Sequence, residues 1–314
     1  MKLFEHPDFE QAILQAERHF KNVGLRAAII EKDYYVTEAL RLVSALGDKV
    51  IFKGGTSLSK GWNLINRFSE DIDIFYATDL SGRPLDRELK GLRDIVAAHP
   101  ALTHLPDESQ TIGGFGRNDR FEYRQIFGGA GEVANRVLLE AGTVSGRQPT
   151  EIRELRSYLA QFLQETGVSL GAEDESAFPM RLLHFRRTFV EKLFAIHSKI
   201  ELMKSKGQPL GSYARHYYDL YQLSQRPEVT AMLASPEYAE IKEDYDRISR
   251  EHFAKSYFFP EGMSFAKSEA LFPSAALAAT IEKEYEAQCK LLCYGAYPSW
   301  ADVRTRFEEL KPKL

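Results

Sequence analysis

Two cysteines in 314 residues, no long apolar run and no large excess of either charge set the first limits on this sequence. Cys289 and Cys293 lie four apart in a helical pattern. That spacing builds no disulfide framework and no metal site with nearby histidines, and it reads as buried thiols in a reducing compartment. Without an apolar run of about 18 residues there is no membrane-spanning helix, and "MKLFEHPDFEQAILQ" reads as an amphipathic helix rather than a signal peptide, so the expected location is cytoplasmic. Forty-one Lys and Arg against 45 Asp and Glu give a net charge of −4, which argues against a general nucleic-acid coat protein. A Walker A loop is also missing: "GGTSLSKG" does not fit GxxxxGK[ST] in any register.

What is present is an ordinary globular composition, 44% hydrophobic, enough for one large or two modest cored domains. Asp8 with Gln11 marks the start of a first helix whose Phe9, Ile13, Ala16 and Phe20 recur at helical spacing. A second helix is expected from about 26 to 46, with Val36, Leu40, Val43 and Leu46 on one stripe. Within it, periodicity reads "EKDYY" (31 to 35) as a solvated charged face.

The segment "VIFKGGTSLSKGWNLINRFSEDIDIFY" (50 to 76) carries the chemistry. A short β-branched and aromatic strand ends at Gly54-Gly55, and Leu58, Trp62, Ile65 and Phe68 then predict a helix from Ser57 to Phe68. Its N-terminus at Thr56-Ser57 offers backbone N–H groups and the positive dipole end to an anion such as a phosphate. In "EDIDIFY" strand alternation places Asp71 and Asp73 on one face and Ile72 and Ile74 on the other. Two carboxylates about 6 to 7 Å apart along a strand repel unless a hard cation, Mg²⁺ or Mn²⁺, lies between them. Taken alone, Asp-x-Asp also fits a solvated strand edge. "GGFG" (113 to 116) and "GGAG" (128 to 131) read as hairpin turns around the strand-like "RFEYRQIF".

Gly-Gly-Thr-Ser followed by Asp-x-Asp resembles the DNA polymerase β-like nucleotidyltransferases. With "EKDYYVTEAL" and "RRTFVEKLFAIHSK…YARHYYDLYQL", residues 27 to 223 resemble the AbiEii/AbiGii nucleotidyltransferase toxins. The resemblance implies an α+β fold: a polymerase β-like core, a small mixed sheet with flanking helices, followed by a mainly helical C-terminal region. It implies transfer of a nucleotidyl group from an NTP with Mg²⁺ or Mn²⁺ as cofactor, a role in a toxin–antitoxin or phage-defence system, and an antitoxin from a neighbouring gene. The acceptor it implies is RNA, with tRNA foremost, or a protein. Gly54, Gly55, Thr56 and Ser57 then match the nucleotide-binding turn, and Asp71 and Asp73 the metal pair. Polymerase-type enzymes add a third acid, for which Glu140 in "ANRVLLEAGTV" is the candidate, although a solvated strand face would also explain it. Lys192 matches a triphosphate-holding lysine and Asp219 a later acid that orients the lysine or a nucleotide. Without the resemblance both read as helix-surface residues.

Phe185, Phe189, Leu193, Ile196, Ile200 and Met203 predict a helix from about 181 to 205. Between 181 and 219 eight Lys or Arg accompany three acids, which fits either an RNA-facing strip or a helix neutralising acidic neighbours. "SGRQPTE" and "GVSLGAEDESAFP" are linker-like and flank the helical "IRELRSYLAQFLQET". The expected division is therefore a nucleotidyltransferase core over 1–150 and a helical domain over 151–314 contributing Lys192 and Asp219. The aromatic-rich 252–265 segment fits core packing or a loop over the site. Two functional readings follow: a metal-dependent nucleotidyltransferase, and an NTP-binding regulatory or interaction protein without turnover.

Overall fold

Alternating apolar and acidic residues in 71–76 make the strand around which the first half of the chain is built. The computed structural model describes residues 1–69, 71–128 and 133–314. Contacts divide the chain into one unit of residues 1–63 and 68–183 and a second of 64–67 and 184–314. Among the described residues no helix is long and apolar enough to cross a membrane.

The first unit opens with helices α1 (Phe9–His19) and α2 (Ala27–Ser44), then strand β1 (Val50–Lys53), the single helical turn α3 (Gly54–Thr56) and β2 (Asp71–Tyr76). It continues with α4 (Gly82–Ala97), β3 (Thr103–His104), β4 (Gln110–Ile112), β5 (Gly116–Glu122), β6 (Arg136–Gly142), β7 (Thr150–Leu155), α5 (Tyr158–Thr166) and β8 (Phe178–Leu183). The eight strands form one mixed sheet in the order β3-β5-β6-β2-β1-β8-β7, with β4 paired to β5. β2 runs parallel to β6 and β1 parallel to β8, while the remaining pairs are antiparallel. Ile72, Ile74, Phe52 and Leu139 are buried in the core on one face. Tyr76 on that same face donates to Glu88 of α4 at 2.5 Å, so α4 covers it with Leu85, Leu89 and Leu92 inward. Asp71 and Asp73 point to the opposite face.

The "EKDYY" segment departs from its expected solvated face. All five residues of 31–35 are buried in α2, and each is committed to a different part of the unit. Glu31 accepts the Ile126 and Phe127 N–H groups (2.7 and 2.9 Å). Lys32 Nζ donates to the Ala134 carbonyl (2.7 Å) and to the Arg136 carbonyl. Asp33 accepts the first N–H of α5, from Tyr158 (2.8 Å), and pairs with Lys60 Nζ (2.6 Å). Tyr34 donates to Asp174 (2.7 Å), and Tyr35 stacks on Tyr123. The loops around this helix leave backbone groups outside the sheet ladder, and these buried charges bond to them.

Other boundaries move for identifiable reasons. The expected helix over 57–68 is α3 followed by a π-type turn over Ser57–Gly61. Asn63 then takes a left-handed φ of 52°, which ends helical geometry. Asp8 occupies the N-cap of α1 without a side-chain cap bond. Residues 152–155 and 178–183 are strands rather than helix, because they pair with each other over Thr150–Leu155 and Phe178–Leu183. That pairing extends the first unit to Leu183, so the boundary expected near 150 falls inside the sheet. "GGFG" closes the β4–β5 hairpin as expected. Most of "GGAG" lies outside the described residues.

The second unit contains α6 (Phe185–Lys206), α7 (Arg215–Ser224), α8 (Pro227–Leu233), α9 (Pro236–His252), α10 (Ala275–Leu292) and α11 (Trp300–Leu310). Pro227 and Pro236 each occupy the first helical position, where the missing N–H is harmless. Phe259 and Phe265 pack on Phe194 of α6 with centroids 4.7 and 4.8 Å away, so the aromatic 252–265 segment serves the core of this unit.

Replacing Lys32 with methionine keeps the volume and strips the Ala134 and Arg136 carbonyls of a buried donor. Lys32→Met is expected to lower unfolding free energy by about 2 to 4 kcal/mol, read as a lower urea midpoint with unchanged slope; an unchanged midpoint would contradict the structural role assigned to "EKDYY".

Candidate active site

The turn after β1 is shaped by a carboxylate. Gly54 has φ +77°, and a Cβ built there would lie 1.9 Å from Asp73 Oδ2 and 2.7 Å from its Cγ. Only glycine allows both the backbone conformation and this approach. Thr56 Oγ1 donates to the Asp71 carbonyl (2.6 Å) and is hydrogen bonded to Ser69 Oγ (2.9 Å), while Ser57 Oγ donates to the Gly54 carbonyl (2.9 Å). Both hydroxyls are buried and committed internally, so what the turn can offer a ligand is backbone. The helical stretch after the glycines runs over 54–61, as α3 and the π-type turn, and so ends earlier than the helix expected over 57–68.

Parallel pairing puts Glu140 beside Asp73, and Leu138 beside Asp71. Glu140 therefore joins Asp71 and Asp73 on the acidic face, where it is hydrogen bonded to Asp73 and accepts from Asn118 Nδ2 at 2.7 Å. Burial pushes the Glu140 carboxyl up to about 7, the negative charges of Asp73 and Asp71 push in the same direction, and the Lys53 ammonium opposes them. Among the described residues no three His, Cys, Asp or Glu side chains converge on one point at ligand distance. The donor chemistry, carboxylate oxygens gathered on one sheet face, fits a hard divalent cation such as Mg²⁺ or Mn²⁺.

The second unit holds a separate array. Asp219 is fully buried and takes Arg67 in a forked pair, Nε to Oδ1 at 2.6 Å and Nη2 to Oδ2 at 2.8 Å. Lys192 Nζ lies 2.8 Å from Asp219 Oδ2 and donates to His216 Nδ1 at 3.0 Å. Burial alone would raise the Asp219 carboxyl, but the charges of Arg67 and Lys192 overcome it and hold Asp219 well below the usual range. Burial lowers the Lys192 ammonium, with Arg67 adding to the effect and Asp219 opposing it. His216 is pushed down to about 3 by burial and then by Lys192, which leaves a neutral imidazole able to accept. Both helix-surface readings are thereby overturned. Asp219 has no surface left for a nucleotide and acts on Lys192.

A family model described as "Nucleotidyl transferase AbiEii toxin, Type IV TA system" matches residues 38–305. The chain belongs to the AbiEii nucleotidyltransferase toxin family. Membership makes it a nucleotidyltransferase-type toxin of a type IV toxin–antitoxin system, with a nucleotide substrate and an antitoxin partner. A search of the curated proteins finds no match, and a search of the solved structures finds none.

Every residue singled out from Gly54 to Asp219 lies within the match to the AbiEii model. In the first unit Gly54, Asp71, Asp73 and Glu140 come together; in the second Lys192 meets Asp219. Arg67 was missed, and its signal was an arginine set among the apolar positions Ile65 and Phe68. Lys60, next to the glycine turn in sequence, is bound by Asp33. The basic strip of 181–219 is mostly self-neutralised: Arg181 pairs with Asp48, Arg186 with Glu237, Arg187 with Glu191 and Asp244, and Lys204 with Glu201 and Glu269.

Because the folded-state value for Glu140 lies near 7 and its ordinary value is 4.5, the folded state retains a proton that the unfolded chain loses. Stability of the metal-free protein should fall as pH rises through that window and level off above it. Glu140→Gln is expected to flatten this decline and to exceed wild type at pH 8 by about 1 to 3 kcal/mol in EDTA; an identical pH profile would show that Glu140 is not held protonated by its neighbours.

Proposed function

We propose that this protein is a Mg²⁺- or Mn²⁺-dependent enzyme that transfers a nucleotidyl group from an NTP to an RNA acceptor, with release of pyrophosphate. The observation that carries the reading is the acidic face itself, where Asp71, Asp73 and Glu140 stand together beside the Gly54 turn. In the proposed reaction the acceptor hydroxyl oxygen bonds to the α-phosphorus as the bond from that phosphorus to the bridging oxygen breaks. Pyrophosphate leaves with the electron pair, and the hydroxyl proton passes to water. Asp71 and Asp73, with Glu140 as third acid, would hold divalent metal, which supplies charge neutralisation and a more acidic attacking hydroxyl. The backbone of Gly54, Gly55, Thr56 and Ser57 would receive phosphate oxygens; within the second unit Asp219 with Arg67 fixes Lys192, the lysine expected to act on phosphate as a point charge.

Transfer RNA is the first acceptor to test, with a protein acceptor next; support for RNA comes from the family, since the basic strip is largely paired. A neighbouring gene is the expected source of the antitoxin, and a phage-defence role fits such a pair. The competing reading, NTP binding without turnover, is decided by the same experiment.

With α-labelled NTPs, Mg²⁺ and total RNA, wild type should label a discrete RNA band. Folded Asp71→Asn and Asp73→Asn should lose on the order of 100-fold or more in rate. Tight NTP binding with no label transfer to RNA, protein or small molecule under either metal would overturn the transferase reading.

A further inference from the structure

Two lysines flank the glycine turn, and they have opposite fates. Lys60 is buried, 2.6 Å from Asp33 Oδ1 and 3.1 Å from the Arg156 carbonyl, which leaves it no donor role toward a ligand. Lys53 is the last residue of β1, extended at φ −137° and ψ −169°, immediately before Gly54. It stands directly opposite Asp73 in the antiparallel β1–β2 pair. Opposed residues of such a pair share a face, so Lys53 lies on the face of Asp71, Asp73 and Glu140. Its charge reaches Glu140, yet among the described residues it makes no ion pair and no side-chain hydrogen bond.

An unpaired ammonium beside three carboxylates weakens cation binding by repulsion. Its presence makes chemical sense when an anion arrives with the cation. Three carboxylates and one ammonium, all ionised, leave two negative charges, which one divalent ion neutralises. Phosphates added to that neutral face then find on it Lys53, an ammonium without an ion pair among the described residues.

We propose that Lys53 is a catalytic residue, contacting the oxygen that bridges the α- and β-phosphates and neutralising the charge that develops there as the bond to the α-phosphorus breaks. The assignment rests on the nucleotidyltransferase reading. Preorganised charge at a leaving oxygen acts more strongly in the transition state than in the bound substrate, so its removal lowers kcat and leaves nucleotide affinity nearly intact. The electron pair still departs with pyrophosphate; Lys53 donates a hydrogen bond and transfers no proton.

The test compares wild type, Lys53→Met and Lys53→Arg, all checked for folding by unfolding midpoint. The substrates are NTPs whose β,γ-bridge is CH₂, CHF or CF₂, a series of rising leaving-group acidity. For Lys53→Met the expected results are a kcat lower by about 100-fold, a rate that rises more steeply along the series, and α,β-methylene NTP affinity within about threefold of wild type. Pyrophosphate binding in EDTA, measured calorimetrically, should weaken by about tenfold. Lys53→Arg keeps the charge and should recover most of the rate; Lys53→Gln, which removes the charge, supplies the slope comparison if Lys53→Met does not fold. A kcat equal to wild type, or a uniform loss with unchanged slope and pyrophosphate affinity, overturns the role of Lys53 while label transfer by wild type leaves the enzyme reading intact. Absence of transfer by wild type overturns both.

Discussion

Mutual repulsion of carboxylates on one sheet face is the constraint on which the rest of the first unit depends. Asp71 and Asp73 share that face because a strand repeats every two residues, and Glu140 joins them because β2 and β6 run parallel in a register that sets it against Asp73. A slip of one residue would send Glu140 into the apolar core and bring Leu139 out. The charge concentration is therefore a product of register. Burial, and then the charges of Asp73 and Asp71, push the Glu140 carboxyl up to about 7.

Holding that register takes more than the sheet. Lys32 fastens the carbonyls of Ala134 and Arg136 at the entry to β6, and Glu31 fastens the backbone at Ile126 and Phe127 beyond β5. Asp33 ties α5 and Lys60 to the same helix. Buried charges of this kind are costly unless fully paired, and here each has its partner. Gly54 completes the arrangement, since any Cβ at that position would displace Asp73. In the second unit the same logic recurs around Asp219, which spends its carboxylate on Arg67 and Lys192.

Much of this was legible in the sequence, and the failures have physical causes. Strand alternation found Asp71 and Asp73, turn chemistry found Gly54-Gly55, and apolar spacing found α1, α2 and most of α6. Periodicity misread "EKDYY" because a helix buried on all sides has no polar stripe to reveal where its charges find partners. It also read a continuous helix over 57–68, since Leu58, Trp62 and Ile65 are buried at helical spacing although the chain turns at Asn63. The division near 150 failed because β7 pairs only with β8, nearly thirty residues later, and a pairing at that distance leaves no local mark. Arg67 and Lys53 escaped for a related reason: their meaning lies in what stands opposite them, Asp219 and Asp73, not in their neighbours along the chain.

If the acidic face is a cation site and Glu140 carries part of a proton there near pH 7, divalent ion binding must expel that proton. Calorimetric titration of Mn²⁺ into metal-free protein at pH 7, in two buffers of different ionisation enthalpy, measures both events at once. Saturable binding with release of a sizeable fraction of a proton, the release lost in Glu140→Gln, is the predicted result. No saturable binding, or binding whose proton release is the same in Glu140→Gln, would contradict it.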